Sequence, residues 1–196
     1  MIKRIFDVLF SLFILILFSP FLIIIALLIK LNDGGSVFYM APRVGLNGKL
    51  FHMFKFRTMI VNADKTGVSS TALNDSRITS VGKFLRKYKL DELPQFINVF
   101  IGNMSIVGPR PEIKKFTDMY TAEEKVILQV KPGITDYASI WNPDEGKILA
   151  GHPDPDQAYF ELIRPEKIRL QIKYINEKSF LTDIKIILLT VKAILI

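Results

Sequence analysis

Cysteine is absent from the sequence. Disulfide scaffolds, Cys-ligated zinc or iron–sulfur sites and thiol catalysis are therefore excluded. Histidine is nearly as scarce: His52 and His152 alone cannot build a multi-histidine metal centre. Familiar nucleotide and hydrolase signatures are missing too, with no G-x-x-x-x-G-K-[ST], G-x-G-x-x-G, G-x-S-x-G or H-E-x-x-H run. Nor is there an internal repeat or a low-complexity tract. What remains is 196 residues, 49% hydrophobic and 23% charged. That composition can bury a core and excludes a disordered chain, and the length fits one domain with at most an appendage.

Charge is distributed unevenly. Arg43 to Lys115 holds 13 basic and 5 acidic residues, more than the whole net charge of +7. From Phe116 onward the balance is slightly acidic, 10 basic to 12 acidic. A central cationic stretch points to an anionic partner: nucleic acid, lipid headgroups or a phosphorylated substrate.

Val8 to Ile29 is a charge-free run of 22 residues. As a helix rising ~1.5 Å per residue it can cross a bilayer core of ~30 Å. It is too long for the apolar region of a cleaved signal peptide and no small-x-small site follows, so it reads as a retained anchor. Ser19-Pro20 interrupts it near the middle, where the missing N–H of proline predicts a bend. Lys3 and Arg4 precede the run and Lys30, Arg43 and Lys49 follow it, so the positive-inside rule favours the cytoplasmic side for both ends. Two readings fit: a hairpin whose arms of ~11 residues enter and leave one leaflet, or a single kinked span. The C-terminal run, 180–196, is a second lipid candidate. Thr182, Lys185 and Lys192 share one helical stripe among apolar residues, which suits a helix lying in the membrane interface or a terminal helix docked on the core.

The body between these ends is mixed α and β. Val37–Met40 and Lys49–Thr58 read as strands joined across Gly45-Leu46-Asn47-Gly48, an Asn-Gly turn signal. In the second strand Phe54 and Phe56 alternate with Lys55 and Arg57, giving one apolar and one cationic face. Asn62–Ser76 reads as a polar loop. Val81–Leu90 and Leu93–Phe100 have helical spacing, and Met104–Val107 reads as a strand. Thr121–Gln129 opens with a capping box from Thr121 to Glu124, and Pro165 can start a helix with Ile168, Ile172 and Ile175 on one face.

Two constellations can carry chemistry. Leu90-Asp91-Glu92-Leu93-Pro94 sets adjacent carboxylates inside the basic stretch, where they need cationic neighbours or a metal to stay ionised. Arg86, Lys87 and Lys89 are near in sequence, so Asp91 is expected to be ionised at neutral pH. The plainer alternative makes Asp91 a helix cap and Glu92 a first-turn acid. Gly108-Pro109-Arg110-Pro111-Glu112 fixes the backbone around Arg110, whose planar donor suits phosphate oxygens. Its plainer alternative is a rigid turn with a solvated arginine. Lys55, Arg57 and Arg86 can join either constellation.

Taken in order, these blocks resemble a known family. Arg77 to Arg86 (RITSVGKFLR), Leu90 to Gln95 (LDELPQ) and Met104 to Glu112 (MSIVGPRPE) are similar to the core of the bacterial sugar transferases, also called monotopic phosphoglycosyl transferases. Pro42 to Gly45, Phe54 to Met59 and Lys131 to Thr135 are similar to its other blocks, so the match runs from the hydrophobic segment to about residue 140. The chain resembles the minimal single-domain form, without further membrane spans ahead of the catalytic unit.

The resemblance implies an α+β monotopic membrane protein: a re-entrant helix over 1–31 broken at Ser19 and Pro20, a catalytic domain over 32–179 with a small β-hairpin and interfacial amphipathic helices, and a membrane-associated helix over 180–196. It implies transfer of a phosphosugar from a UDP-sugar to polyprenyl phosphate, with release of UMP, at the cytoplasmic face of the bacterial inner membrane. In the family the aspartate of the acidic pair is the nucleophile and the glutamate holds Mg²⁺, here Asp91 and Glu92. Arg86 and Arg110 then contact phosphates, with Lys55 and Arg57 beside them. The bilayer is the implied partner, nucleic acid is not, and self-association is left open. Two departures stand out: Asn103 where the family commonly has aspartate, and Asp136-Tyr137-Ala138-Ser139 where it has Gly-x-Ala-Gln. The sugar therefore does not carry over. A membrane adaptor and a membrane-anchored nucleic-acid binder are the rival classes. The first would leave Asp91-Glu92 freely replaceable, and the second would interleave aromatics with Lys and Arg well beyond Phe54–Arg57.

Overall fold

The computed structural model describes residues 1–63 and 75–195. Most of the expected polar loop falls on 64–74, outside the described residues. The apolar N-terminal run is helical: α1 spans Ile2–Asp33 and bends by 63° between Ile2–Leu17 and Ser19–Asp33. Pro20 lacks the N–H that would bond the carbonyl of Ile16, and the Ser19 hydroxyl donates to that carbonyl instead, at 2.8 Å. The bend expected from the sequence is therefore present. Among the described residues no single helix is long and apolar enough to cross a membrane, and the two arms of α1 together pass that test of length and composition.

Both ends of α1 are tied to the same body. Near its start, Arg4 donates to the carbonyls of Val99 (2.6 Å) and Phe100 (2.8 Å), and Lys3 donates to that of Val107 (3.0 Å) and pairs with Asp183. Buried Asp7 accepts from the Ser105 hydroxyl (2.9 Å) and the Ile106 amide (3.1 Å). At its far end Asp33 pairs with both terminal nitrogens of Arg57. Between these anchors Leu9, Phe13, Ile16, Leu17, Ile23 and Leu27 remain exposed.

Strands β1 (Phe38–Val44) and β2 (Leu50–Phe56) form an antiparallel hairpin with Phe38 opposite Phe56 and Val44 opposite Leu50. Its turn places Asn47 and Gly48 in the left-handed region, as the Asn-Gly signal requires. The first strand runs further than Val37–Met40 because Pro42, which cannot donate, lies on an edge strand of a two-stranded sheet. Helix α2 (Ser80–Lys87) starts at Thr79, whose hydroxyl accepts from the Gly82 amide. Gly82 is obligatory here: a Cβ would stand 2.0 Å from the Thr58 carbonyl oxygen. A short 3-10 turn, Leu90–Glu92, leads into α3 (Gln95–Ile101). The Asn98 side chain of α3 bonds the His52 carbonyl and the Phe54 amide, both at 2.8 Å, and so closes the open edge of β2.

Strand β3 (Ser105–Val107) pairs in parallel with β4 (Gly133–Thr135), the latter not foreseen from sequence. Helices α4 (Lys114–Thr117), α5 (Tyr137–Trp141), α6 (Glu145–Leu149) and α7 (Pro155–Ala158) are one-turn elements too short to show a periodic pattern. Helix α8 (Arg164–Glu177) begins at the expected proline and buries Ile168 and Ile175. Thr121 and Glu124 form the expected capping box, but Glu124–Gln129 is a 3-10 helix. The run stops at Val130, ahead of Lys131-Pro132, which favours extended backbone. Helix α9 (Phe180–Leu195) docks on the core along one face. Ile186 is fully buried and Asp183 accepts from the Tyr174 hydroxyl at 2.8 Å, while Leu181, Leu188 and Val191 face outward.

Candidate active site

The hairpin, the Leu90–Glu92 turn, the β3–α4 connection and α5–α6 surround an open cleft of about 1690 Å³. Lys55, Arg57, Arg86, Asp91, Glu92 and Arg110 all line it, so the structure brings together the six charged residues expected to act on substrate or metal. Arg43, Glu112, Glu145 and Lys167 join them.

Lys89 takes the left-handed conformation and turns the chain sharply out of α2. The two carboxylates then meet different surroundings. Glu92 accepts from Lys55 Nζ at 2.9 Å and from Arg110 Nη1 at 3.1 Å, and pairs also with Arg110 Nη2. Asp91 is 7% exposed, and among the described residues no hydrogen bond reaches its carboxylate. One acid is locked and the other is open to the cleft. Neither acts as a side-chain cap of α3.

Their proton affinities diverge accordingly. Burial raises the pKa of Asp91, opposed by Lys55 and reinforced by Glu92, with Arg86 and Lys89 also opposing. Desolvation, and not the basic neighbours, is thus the largest influence on this carboxyl. Burial also works against the charge of Glu92, but Arg110 and Lys55 prevail and hold it well below the usual carboxylate range. Arg110 is raised in turn, chiefly by Glu92. Burial lowers Arg86, and Asp91 is the main charge opposing that effect. Arg86 Nε donates to the Thr58 hydroxyl at 2.9 Å, which orients its guanidinium. The Arg57 guanidinium is engaged by Asp33, so its side chain also fastens α1 to the hairpin.

Several residues in and behind the cleft wall were not assigned a role from sequence. Lys167 lies between Glu112 (2.5 Å) and Glu145 (2.9 Å), and Tyr159 donates to Glu112 at 2.6 Å. Asp136, fully buried, caps α5 by accepting from the Ser139 amide (2.7 Å) and hydroxyl (2.8 Å), and it also accepts from the Arg110 amide at 3.2 Å. Gln171 Nε2 donates to the Arg110 carbonyl and to Asp136, both at 3.3 Å. The sequence signalled Glu112 by its place beside Arg110 in the motif, and Asp136 and Ser139 only as departures from the family pattern; all but Glu112 lie 26 to 61 positions from Arg110. Asn103 is exposed beyond the end of α3.

Among the described residues no group of three or more His, Asp or Glu side chains could cage a metal ion. Asp91 and Glu92 supply at most two carboxylates, a donor set that fits Mg²⁺ when phosphate oxygens complete its shell. Glu92 Oε1 accepts from both Lys55 and Arg110, whereas Oε2 accepts from Arg110 alone and keeps a lone pair that an ion could use.

Comparison with known proteins gives a consistent picture. The bacterial sugar transferase family matches residues 1–196. A UDP-glucose:undecaprenyl-phosphate glucose-1-phosphate transferase of Escherichia coli (strain K12) is 42% identical over 97% of this chain and 39% of its own length. The exopolysaccharide production protein ExoY of Rhizobium meliloti (strain 1021) is 34% identical over 99% of this chain and 85% of its own. A UDP-N-acetylgalactosamine-undecaprenyl-phosphate N-acetylgalactosaminephosphotransferase of Aeromonas hydrophila is 36% identical over 99% of this chain and 44% of its own. The chain thus spans less than half of two of these relatives and most of the third. With its family blocks gathered around one cleft, this chain belongs to the bacterial sugar transferases.

Proposed function

We propose that this protein moves a phosphosugar from a UDP-sugar to polyprenyl phosphate, releasing UMP and leaving a polyprenyl-diphospho-sugar, an early membrane step in building a bacterial surface glycan. The observation that carries this reading is the split within the acidic pair. Among the described residues Asp91 has no hydrogen-bond partner at the cleft, and Glu92 is held by Arg110 and Lys55.

In the first step an Asp91 carboxylate oxygen attacks the β-phosphorus of the donor. The bond from that phosphorus to the bridging oxygen breaks, its electrons leave with UMP, and an aspartyl-phosphosugar remains. In the second step a phosphate oxygen of the polyprenyl acceptor attacks the same phosphorus and expels the Asp91 carboxylate. Two steps at one site let a water-soluble donor product depart before a lipid acceptor enters. Arg43, Lys55, Arg86 and Arg110 line the cleft and offset the charge of the two phosphates that meet there in each step. Mg²⁺, held by Glu92 and substrate phosphates, would supply further charge neutralisation there.

The membrane reading rests on α1. Its start and its end are both fastened to the catalytic body, by Arg4 and Asp7 at one side and Asp33 at the other, while the apolar arms between point outward. A bent helix returning to the side it came from satisfies both anchorages, and a straight span does not. This favours a re-entrant hairpin that seats the cleft on the cytoplasmic face of the inner membrane, with the outward face of α9 alongside. Single cysteines at positions 2 and 49, introduced into this cysteine-free chain, should label from the same side in intact cells.

The test of function is a panel of UDP-sugars incubated with purified protein, Mg²⁺ and polyprenyl phosphate. Release of UMP with at least one donor, dependent on the acceptor for turnover, is expected. No release with any donor would overturn the reading.

A further inference from the structure

We infer that Asp136 and Gln171 are positioning residues for Arg110, and that this chain holds its phosphate-binding arginine by the backbone from behind. The inference rests on the transferase reading of the cleft.

Arg110 faces Glu92 with its guanidinium, yet its main chain is gripped by two side chains from elements distant in sequence. Asp136 follows β4 directly. The parallel pairing of β3 with β4 brings it opposite Arg110, because Gly108 and Gly133 let the strands approach so closely that a Cβ on Gly133 would stand 2.1 Å from the Gly108 amide nitrogen. From there one Asp136 oxygen caps α5 through Ser139, and the other accepts from the Arg110 amide. Gln171, on the inner face of α8, completes the grip by donating to the Arg110 carbonyl and to Asp136 together. Both side chains are fully buried.

The chemistry of this arrangement is unusual for a mere cap. Asp136 is held by amide, hydroxyl and carboxamide donors, and among the described residues no Lys or Arg side chain forms an ion pair with it. A buried carboxylate without a direct ion pair costs more than a buried amide of the same shape would. An asparagine would cap α5 equally well, because capping needs one oxygen. What asparagine cannot do is accept on both sides at once: the group turned toward Arg110 and Gln171 would be a second donor facing donors. The second oxygen thus serves Arg110, not the cap. Pro109 and Pro111 restrict the torsions on either side, and the grip fixes what they leave free, so the guanidinium is aimed before substrate arrives.

Asp136→Asn therefore separates the two roles. In the full chain, assayed with the UDP-sugar it turns over, the substitution should lower kcat about tenfold, the effect of one misdirected hydrogen bond at a preorganised group. In an Arg110→Ala background, which keeps the amide but removes the guanidinium, the same substitution should cost less than about twofold. Gln171→Met, close in shape, should behave the same way and serves if Asp136→Asn does not fold, as judged by its melting temperature. An equal loss in both backgrounds, or wild-type kcat with a lowered melting temperature, would overturn the inference and leave Asp136 a helix cap. Full turnover by Arg110→Ala alone would instead remove the reading of the site on which it rests.

Discussion

Arg110 engages both carboxylate oxygens of Glu92, and this pairing divides the labour between two adjacent acids. A glutamate fixed by a bidentate arginine and by Lys55 is kept ionised and still. Asp91, one residue earlier, has been desolvated without being paired. A nucleophile needs such freedom, and a group that organises phosphates or a cation needs the opposite.

Arg110→Lys will not be conservative. A point charge replaces a planar fork that meets Glu92 through two nitrogens. Contacts to developing charge of this kind are worth about 2.7–4 kcal/mol, so kcat should fall on the order of 10²–10³-fold. Steady-state kinetics at saturating donor decides the matter. Near wild-type turnover would leave Arg110 a structural partner of Glu92 with no part in catalysis.

The sequence made the acidic pair, Arg110 and the hairpin legible because each is local: a turn signal, two adjacent acids, an arginine between prolines. Pro20 likewise revealed the bend in α1, since its missing N–H acts on one carbonyl four residues back. Long-range pairing stayed hidden. Nothing near Asp136 or Gln171 in the chain says that β4 will lie beside β3 and bring them to Arg110. Lys3 and Arg4 illustrate a different gap. Read as topology signals, they also fasten α1 to the carbonyls ending α3 and β3, a role visible only in three dimensions.

Lys167→Met should destabilise the protein by about 3–5 kcal/mol, because Glu112 and Glu145 lose the cation that balances them in a buried site. The side chain of Lys167 is 6% exposed, so water cannot replace it. Lys147 is the contrast: its side chain is 71% exposed and its pairing with Asp144 is long, so Lys147→Met should change stability by about 1 kcal/mol or less. Urea midpoints for the two variants should differ widely. Similar midpoints would mean that the Lys167 cluster is solvated.

Asp33 couples α1 to the hairpin in a pH-dependent way. Arg57 pulls its carboxyl from 3.8 down to about 2, helped by the Gly35 amide. A folded-state pKa below the unfolded one adds stability that is present above the unfolded pKa and lost as pH falls through the folded one. Wild type should therefore be more stable than Asp33→Asn at neutral pH, and that difference should close between about pH 4 and pH 2. Melting curves of both proteins across this range test it. A constant gap would show that Asp33 acts through packing alone.

Asp91 carries the sharpest prediction. Incubated with donor and Mg²⁺ and no lipid acceptor, the wild-type protein should release UMP and gain the mass of a phosphosugar on the peptide containing Asp91. Asp91→Asn keeps the shape but loses the charge, so it should neither gain the adduct nor turn over, while its fold persists. The raised proton affinity of Asp91 adds a signature in pH. Because the attacking group must be ionised, activity falls as pH drops through its pKa, and burial sets that fall above the ordinary value of 3.8. The acid limb of kcat/KM should accordingly lie at higher pH than an unperturbed aspartate would give. Glu92, held in its charged form by Arg110 and Lys55, should contribute no limb in that window. An absence of adduct, with UMP appearing only when both substrates are bound, would mean direct transfer between them and leave Asp91 the role of a base.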